Sequence, residues 1–154
     1  SELIRHIIRN YETDFAHKGI DIEFIGEKET VTADKDKISQ AIINLLSNAL
    51  KYTQQGGFVQ IVVKGTEEVT EIIVRDTGIG ITPEDLPHIF ERFYRADKSR
   101  NRLTGGAGIG LTITKAIIDA HKGKIQVNST VNEGTEFIIS LPKHVDQANG
   151  LLPV

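Results

Sequence analysis

Apolar residues open the chain at positions 3, 4, 7, 8, 11 and 15 (Leu, Ile, Ile, Ile, Tyr, Phe), the spacing of one helix face. Gly19 permits a turn, and Ile20-Asp-Ile22-Glu-Phe24 then alternates as a strand does. After a short apolar piece around Val31, Asp34 is placed to cap a second helix, with apolar positions 38, 41, 42, 45, 46 and 49. Gly56-Gly57 closes it. Two alternating strands, Phe58–Lys64 and Glu71–Asp76, are joined by a polar turn at Gly65–Glu68. Thr82-Pro83-Glu-Asp85 reads as cap, first-turn proline and acidic third position, predicting a short helix. Residues 94–106 are polar and aperiodic; a helix with apolar positions 113, 116, 117 and 120 follows and stops at Gly123. Strands Lys124–Asn128 and Thr135–Leu141 bracket a turn at Asn132-Glu-Gly134, and Lys143–Val154 is expected to be disordered. This order predicts one domain over 1–142, an α/β sandwich with helices on one face of a mixed sheet.

Composition narrows the function. The chain has 154 residues, 39% apolar and 25% charged, ordinary for a globular domain able to bury its own core. A net charge of −3, from 18 basic and 21 acidic residues, argues against binding nucleic acid through bulk charge. There are no cysteines, which excludes disulfides, thiol catalysis and thiolate metal sites. No apolar run reaches the roughly 20 residues of a membrane span. The absence of methionine suggests a piece of a longer protein.

Four segments carry candidate chemistry. Asn44, Asn48 and Lys51 lie on one edge of the second helix. Asparagine forms helices poorly, whereas an amide oxygen suits Mg²⁺ and a lysine one turn on suits phosphate; a solvated polar edge is the plain alternative. Asp76-Thr-Gly78-Ile-Gly80 sits at a strand end, where glycines let backbone approach a planar ligand and a carboxylate can accept from an exocyclic amine. A strand-ending turn is the competing explanation. One Asp-Thr-Gly triplet does not supply the paired carboxylates of an aspartic protease. Gly105-Gly106-Ala-Gly108-Ile-Gly110-Leu111 opens a helix, where free N–H groups can meet phosphate, but it matches neither the dinucleotide fingerprint nor a P-loop. Between the two glycine segments, residues 92–102 hold five basic side chains against Asp97 alone, the composition of a basic lid or a solvated loop. Phe90 and Phe93 read as anchors of its base. Asp34-Lys-Asp36 lacks the ligands and glycine of a calcium loop, and His6, His17, His88, His121 and His144 show no metal spacing.

Taken together, these segments resemble the catalytic and ATP-binding domain of bacterial sensor histidine kinases, in the gyrase/Hsp90/histidine kinase/MutL superfamily. Asn44-Leu-Leu-Ser-Asn48-Ala-Leu-Lys51-Tyr52-Thr53 resembles the N box, and Asp76-Thr-Gly78-Ile-Gly80 the G1 box. Phe90-Glu-Arg-Phe93-Tyr94-Arg95 resembles the F box, Gly106-Ala-Gly108-Ile-Gly110-Leu111 the G2 box, and Gly134-Thr135 the closing motif. Ala107 departs from the Ser or Thr frequent at that position. The resemblance implies an α+β, Bergerat-type two-layer sandwich with a mobile ATP lid. It implies that Asn48 coordinates Mg²⁺, with Asn44 as a supporting ligand or water holder. Lys51 and Arg95 would neutralise phosphate, Tyr52 would stack on adenine, and Tyr94 would join the nucleotide site. Asp76 would accept from the adenine amine beside Gly78 and Gly80, assisted by Thr135 through water. Gly106, Gly108 and Gly110 would wrap the phosphates, with Leu111 beside the base.

Related ATPases carry a glutamate at the position of Asn44; an amide cannot take a proton from water at neutral pH, so transfer is expected in place of hydrolysis. No histidine here is followed by an acid, so the implied acceptor lies on an upstream dimerisation hairpin. The implied setting is two-component signalling: a cytoplasmic domain of a membrane-bound sensor, reaching a response regulator through the full-length protein, with this piece monomeric. An anti-sigma-type serine kinase and a nucleotide-binding module without transfer are the alternatives.

Overall fold

The computed structural model describes residues 1–91, 109–143 and 152–153. Helix α1 spans Glu2–Lys18 and buries Ile4, Ile7, Ile8 and Phe15, ending where Gly19 adopts φ 75° and returns its N–H to Ala16. Helix α2, Lys35–Tyr52, buries all six of its predicted apolar positions, and Asp34 Oδ1 caps it by accepting from Lys37 N. Strands β1 (Asp21–Gly26), β3 (Phe58–Gly65), β4 (Val69–Asp76), β5 (Lys124–Thr130) and β6 (Gly134–Pro142) form one sheet in the order β1-β3-β4-β6-β5. Only β1 and β3 run parallel, so the sheet is mixed as expected.

One sheet face supplies Val59, Ile61, Val63, Ile72, Val74, Phe137, Ile139 and Leu141 to the core shared with the helices. The opposite face carries a polar row through all five strands. Gln60 donates to Glu23, Arg75 bonds both Gln60 and Glu136, and Asn128 donates to Glu136. This alternation is what period-two patterning imposes on a half-covered sheet.

Three elements differ from expectation. Thr82 and Asp85 form the reciprocal cap contacts, yet only a 3₁₀ turn, Leu86–His88, follows. Pro87 cannot donate the bond an α-helix would need there, and its ring opposes the preceding turn. Helix α3 (Ile109–Ala120) is rotated from its predicted face: Thr114, Ile117, Ile118 and His121 are buried, while Ile113 is 41% exposed. Its stop comes one residue early, with Lys122 taking the left-handed conformation at φ 59°. In the tail, Leu152–Pro153 forms a two-residue strand, β7, antiparallel to β2 (Thr32–Ala33), and Lys143 pairs with Glu29 at 2.7 Å.

Candidate nucleotide site

Of the residues singled out in the sequence, Asn44, Asn48, Lys51 and Tyr52 lie along α2, and Gly78 and Gly110 lie at the ends of elements it touches. From Asn44 to Tyr52 the helix rises about 12 Å. At one end Asn44 meets the first turn of α3; at the other, the backbone of Tyr52 meets the loop after β4. Tyr52 O accepts from Ile79 N at 3.1 Å, and a Cβ on Gly78 would stand 2.3 Å from that same oxygen. Gly80, at φ 76°, lies against Thr130 O in the same way. Neither position has room for a side chain.

Asp76 ends β4 directly opposite Thr135 of β6 and is 9% exposed. Its Oδ1 accepts from Gly78 N at 2.9 Å, and Thr135 N–H also serves the carboxylate. Burial pushes its pKa above the ordinary value, and those two N–H groups only partly oppose the shift. Among the described residues no cation pairs with it. Thr135 Oγ1 lies 2.8 Å from Ser129 Oγ, which donates to Gly134 O and accepts from Ile81 N. Ser129, absent from the sequence reading, therefore braces both the β4 loop and the Thr135 hydroxyl.

The two asparagines have different surroundings. Asn44 Nδ2 donates to Gly110 O at 3.1 Å and Thr114 Oγ1 at 3.2 Å, while its Oδ1 accepts from Gln40 Nε2 at 2.8 Å. Asn48 is half-buried and makes no hydrogen bond among the described residues. Lys51 Nζ stands 5.3 Å from the Tyr52 ring centroid. Lys18, unsuspected in the sequence, donates from α1 to Leu50 O at 2.6 Å and Lys51 O at 3.0 Å, capping the helix end that carries these two residues. Burial holds its pKa below the ordinary lysine value.

Leu111 packs against the core, and Thr112 Oγ1 donates to Phe90 O at 3.0 Å. Phe90 meets Phe137 edge-to-face at 6.4 Å, so the anchor expected at the base of the basic segment joins the sheet core. Phe93, Tyr94, Arg95, Gly106 and Gly108 lie outside the described residues. The described residues contain no cluster of three or more His, Cys, Asp or Glu side chains able to hold a metal. A cation here would have to draw on an amide oxygen and on the ligand's own phosphates, a hard-oxygen set that fits Mg²⁺.

A mixed sheet covered on one face by helices, with a buried carboxylate at a strand end and a helix edge of amides and a lysine, places the chain among α+β sandwich domains. The profile of the family described as Histidine kinase-, DNA gyrase B-, and HSP90-like ATPase matches residues 33–145, and the chain belongs to that family. It is 43% identical over 125 residues to the sensor histidine kinase CusS of Escherichia coli K12, covering 81% of this chain and 26% of CusS. It thus spans about a quarter of that curated relative. The fold matches the nucleotide-free catalytic domain of histidine kinase ThkA with a TM-score of 0.81 and 33% identity, covering 92% of each chain. ThkA in complex with the response regulator protein TrrA matches with a TM-score of 0.77 and 30% identity, over 93% of this chain and 40% of that one.

Proposed function

We propose that this domain binds Mg²⁺-ATP and presents the γ-phosphoryl group to a histidine on a helical hairpin elsewhere in the same protein, as the catalytic part of a two-component sensor kinase. The observation that carries the reading is Asp76. A carboxylate so buried, served among the described residues by two backbone N–H groups alone, has acceptor capacity left, and the exocyclic amine of adenine is a donor that can use it. Gly78 and Gly80 let the loop beside Asp76 pack against Tyr52 O and Thr130 O, which fixes the carboxylate's surroundings, and the braced Thr135 hydroxyl can hold a water between Asp76 and the ring.

The rest of the site acts by placing and neutralising charge, which is what phosphoryl transfer asks of a protein. Asn48 would hold Mg²⁺ through its open amide, and the ion, when bound, would neutralise the phosphate oxygens. Lys51 and Arg95 would add positive charge, Tyr52 and Tyr94 would line the nucleotide, and Gly106, Gly108 and Gly110 would let backbone N–H groups reach the phosphates. The histidine nitrogen forms the new bond to phosphorus as the bond to the β–γ bridging oxygen breaks, releasing ADP. Asn44 offers no base for water, which favours this acceptor over hydrolysis. The response regulator would receive the phosphoryl group from the full-length kinase; ThkA, a structural relative, is known in complex with one. No helix among the described residues is long and apolar enough to cross a membrane.

Calorimetry of ATP binding, with Mg²⁺ and with EDTA, tests the assignment. Asn48→Ala should remove the Mg²⁺-dependent part of the affinity; unchanged affinity would eliminate Asn48 as the ligand. The isolated chain should neither label itself on histidine nor hydrolyse ATP rapidly.

A further inference from the structure

The two asparagines divide their work. Gly110 O can only accept a hydrogen bond, so the atom of Asn44 facing it at 3.1 Å must be the amide nitrogen. That fixes the amide orientation and turns Oδ1 along α2 toward Gln40 Nε2, 2.8 Å away. Thr114, fully buried, gives its hydroxyl proton to Gly110 O at 2.8 Å and leaves a lone pair for Asn44 Nδ2 at 3.2 Å. The Asn44 amide is therefore engaged on both sides, whereas Asn48, one turn on, keeps its amide open among the described residues.

From this contrast, and resting on the ATP-binding reading above, we infer that Asn44 is a positioning residue which, with Thr114 and Gln40, docks the first turn of α3 onto α2, leaving Asn48 to hold the metal. The first turn of a helix carries N–H groups with no partner inside the helix, and those are what a phosphate would meet. Their placement depends on where this end of α3 sits. The far end is anchored separately: His121 Nε2 accepts from Asp34 N at 3.0 Å while Nδ1 donates to Ile117 O at 2.8 Å. Buried Ile117 and Ile118 hold the middle. Leu111 and Thr112 keep their contacts with the core and with Phe90 O, so loss of the Asn44 contact loosens the nucleotide end of α3 without releasing the helix.

The test uses ATP affinity by calorimetry, in Mg²⁺ and in EDTA, for Asn44→Ala, Thr114→Val, Thr114→Ser and the Asn44→Ala/Thr114→Val pair. Asn44→Ala and Thr114→Val should each weaken binding about tenfold, by the same factor in both conditions. The pair should lose little more than either single change, because both break one contact. Thr114→Ser keeps the hydroxyl and should bind as the parent does. A loss in Asn44→Ala confined to the Mg²⁺ condition would make Asn44 a metal ligand and overturn the inference. So would parental affinity in Thr114→Val. Should the parent chain bind no ATP, the ATP reading fails on its own. Amide exchange at 110–114 then still decides the docking: faster exchange in Thr114→Val with Thr114→Ser unchanged supports it, and no change overturns it.

Discussion

Replacing Asp76 by Asn sets function against stability, and the structure gives the sign of each. Burial raises the folded-state pKa of Asp76 above its unfolded value. Between those two values the folded protein binds more protons than the unfolded one, so stability falls as pH rises through the window. Above it the native state bears the full cost of an ionised, desolvated carboxylate. Asparagine removes that charge and keeps one oxygen for the Gly78 and Thr135 N–H groups that serve the carboxylate, the first of them 2.9 Å from Oδ1. Asp76→Asn should therefore melt at or above the parent temperature at pH 7. The advantage should disappear below about pH 4, where the carboxyl is protonated in both folded and unfolded chains. Each kcal/mol would move the midpoint by roughly 2–4 °C in a domain of this size. Binding should move the other way. Exchanging a charge-assisted bond to the adenine amine for a weaker neutral one costs about 1–1.5 kcal/mol, or roughly 5- to 12-fold in Kd. Thermal melts from pH 3.5 to 8 and ATP calorimetry at pH 7 check both arms. Asp76→Asn binding ATP within about twofold of the parent would refute the adenine contact. Equal destabilisation at every pH would refute the desolvation argument and leave Asp76 as a structural acceptor.

Further substitutions examine the supporting structure. Thr53 Oγ1 is buried with no hydrogen-bond partner among the described residues; Thr53→Val should raise stability by about 1 kcal/mol, and a fall in melting temperature would contradict this. Lys18→Met removes the cap on Leu50 O and Lys51 O. It should cost about 0.5–1.5 kcal/mol in urea unfolding and weaken ATP binding through the loosened Lys51 and Tyr52. Among the described residues, a Cβ on Gly110 would meet only Asn44 Cγ, at 3.9 Å. Gly110→Ala should therefore stabilise α3 by up to about 1 kcal/mol while weakening ATP binding, if this glycine serves the phosphates.

What could be read from the sequence was what is encoded locally. The six apolar positions of α2 and the alternation of β3, β4 and β6 report burial through period alone, and Asp34 announces a cap because its partner, Lys37, is three residues away. The rotation of α3 was hidden for the opposite reason. Thr114 and His121 turn inward because Asn44 and Asp34, 70 and 87 residues distant, supply their hydrogen bonds. Polar residues seven apart beside an apolar stripe, as Thr114 and His121 are, form a weak signal for such docking. Lys18 and Ser129 were equally silent, since each acts on backbone brought near only by the fold. Pro87 was visible, yet the cap signal at Thr82 masked its effect. The G1 segment was legible because Asp76 and its glycines are consecutive, and the structure brings them to Tyr52 and Thr135 without rearranging them.

The most direct test of phosphoryl donation mixes this domain with the proposed histidine-bearing hairpin, produced separately from the full-length protein, and ATP labelled at the γ-phosphate, in Mg²⁺. Acid-labile, alkali-stable label on the hairpin histidine, lost in Asn48→Ala, is the expected result. Release of labelled inorganic phosphate with the hairpin unlabelled would contradict it and mark the domain as a hydrolase.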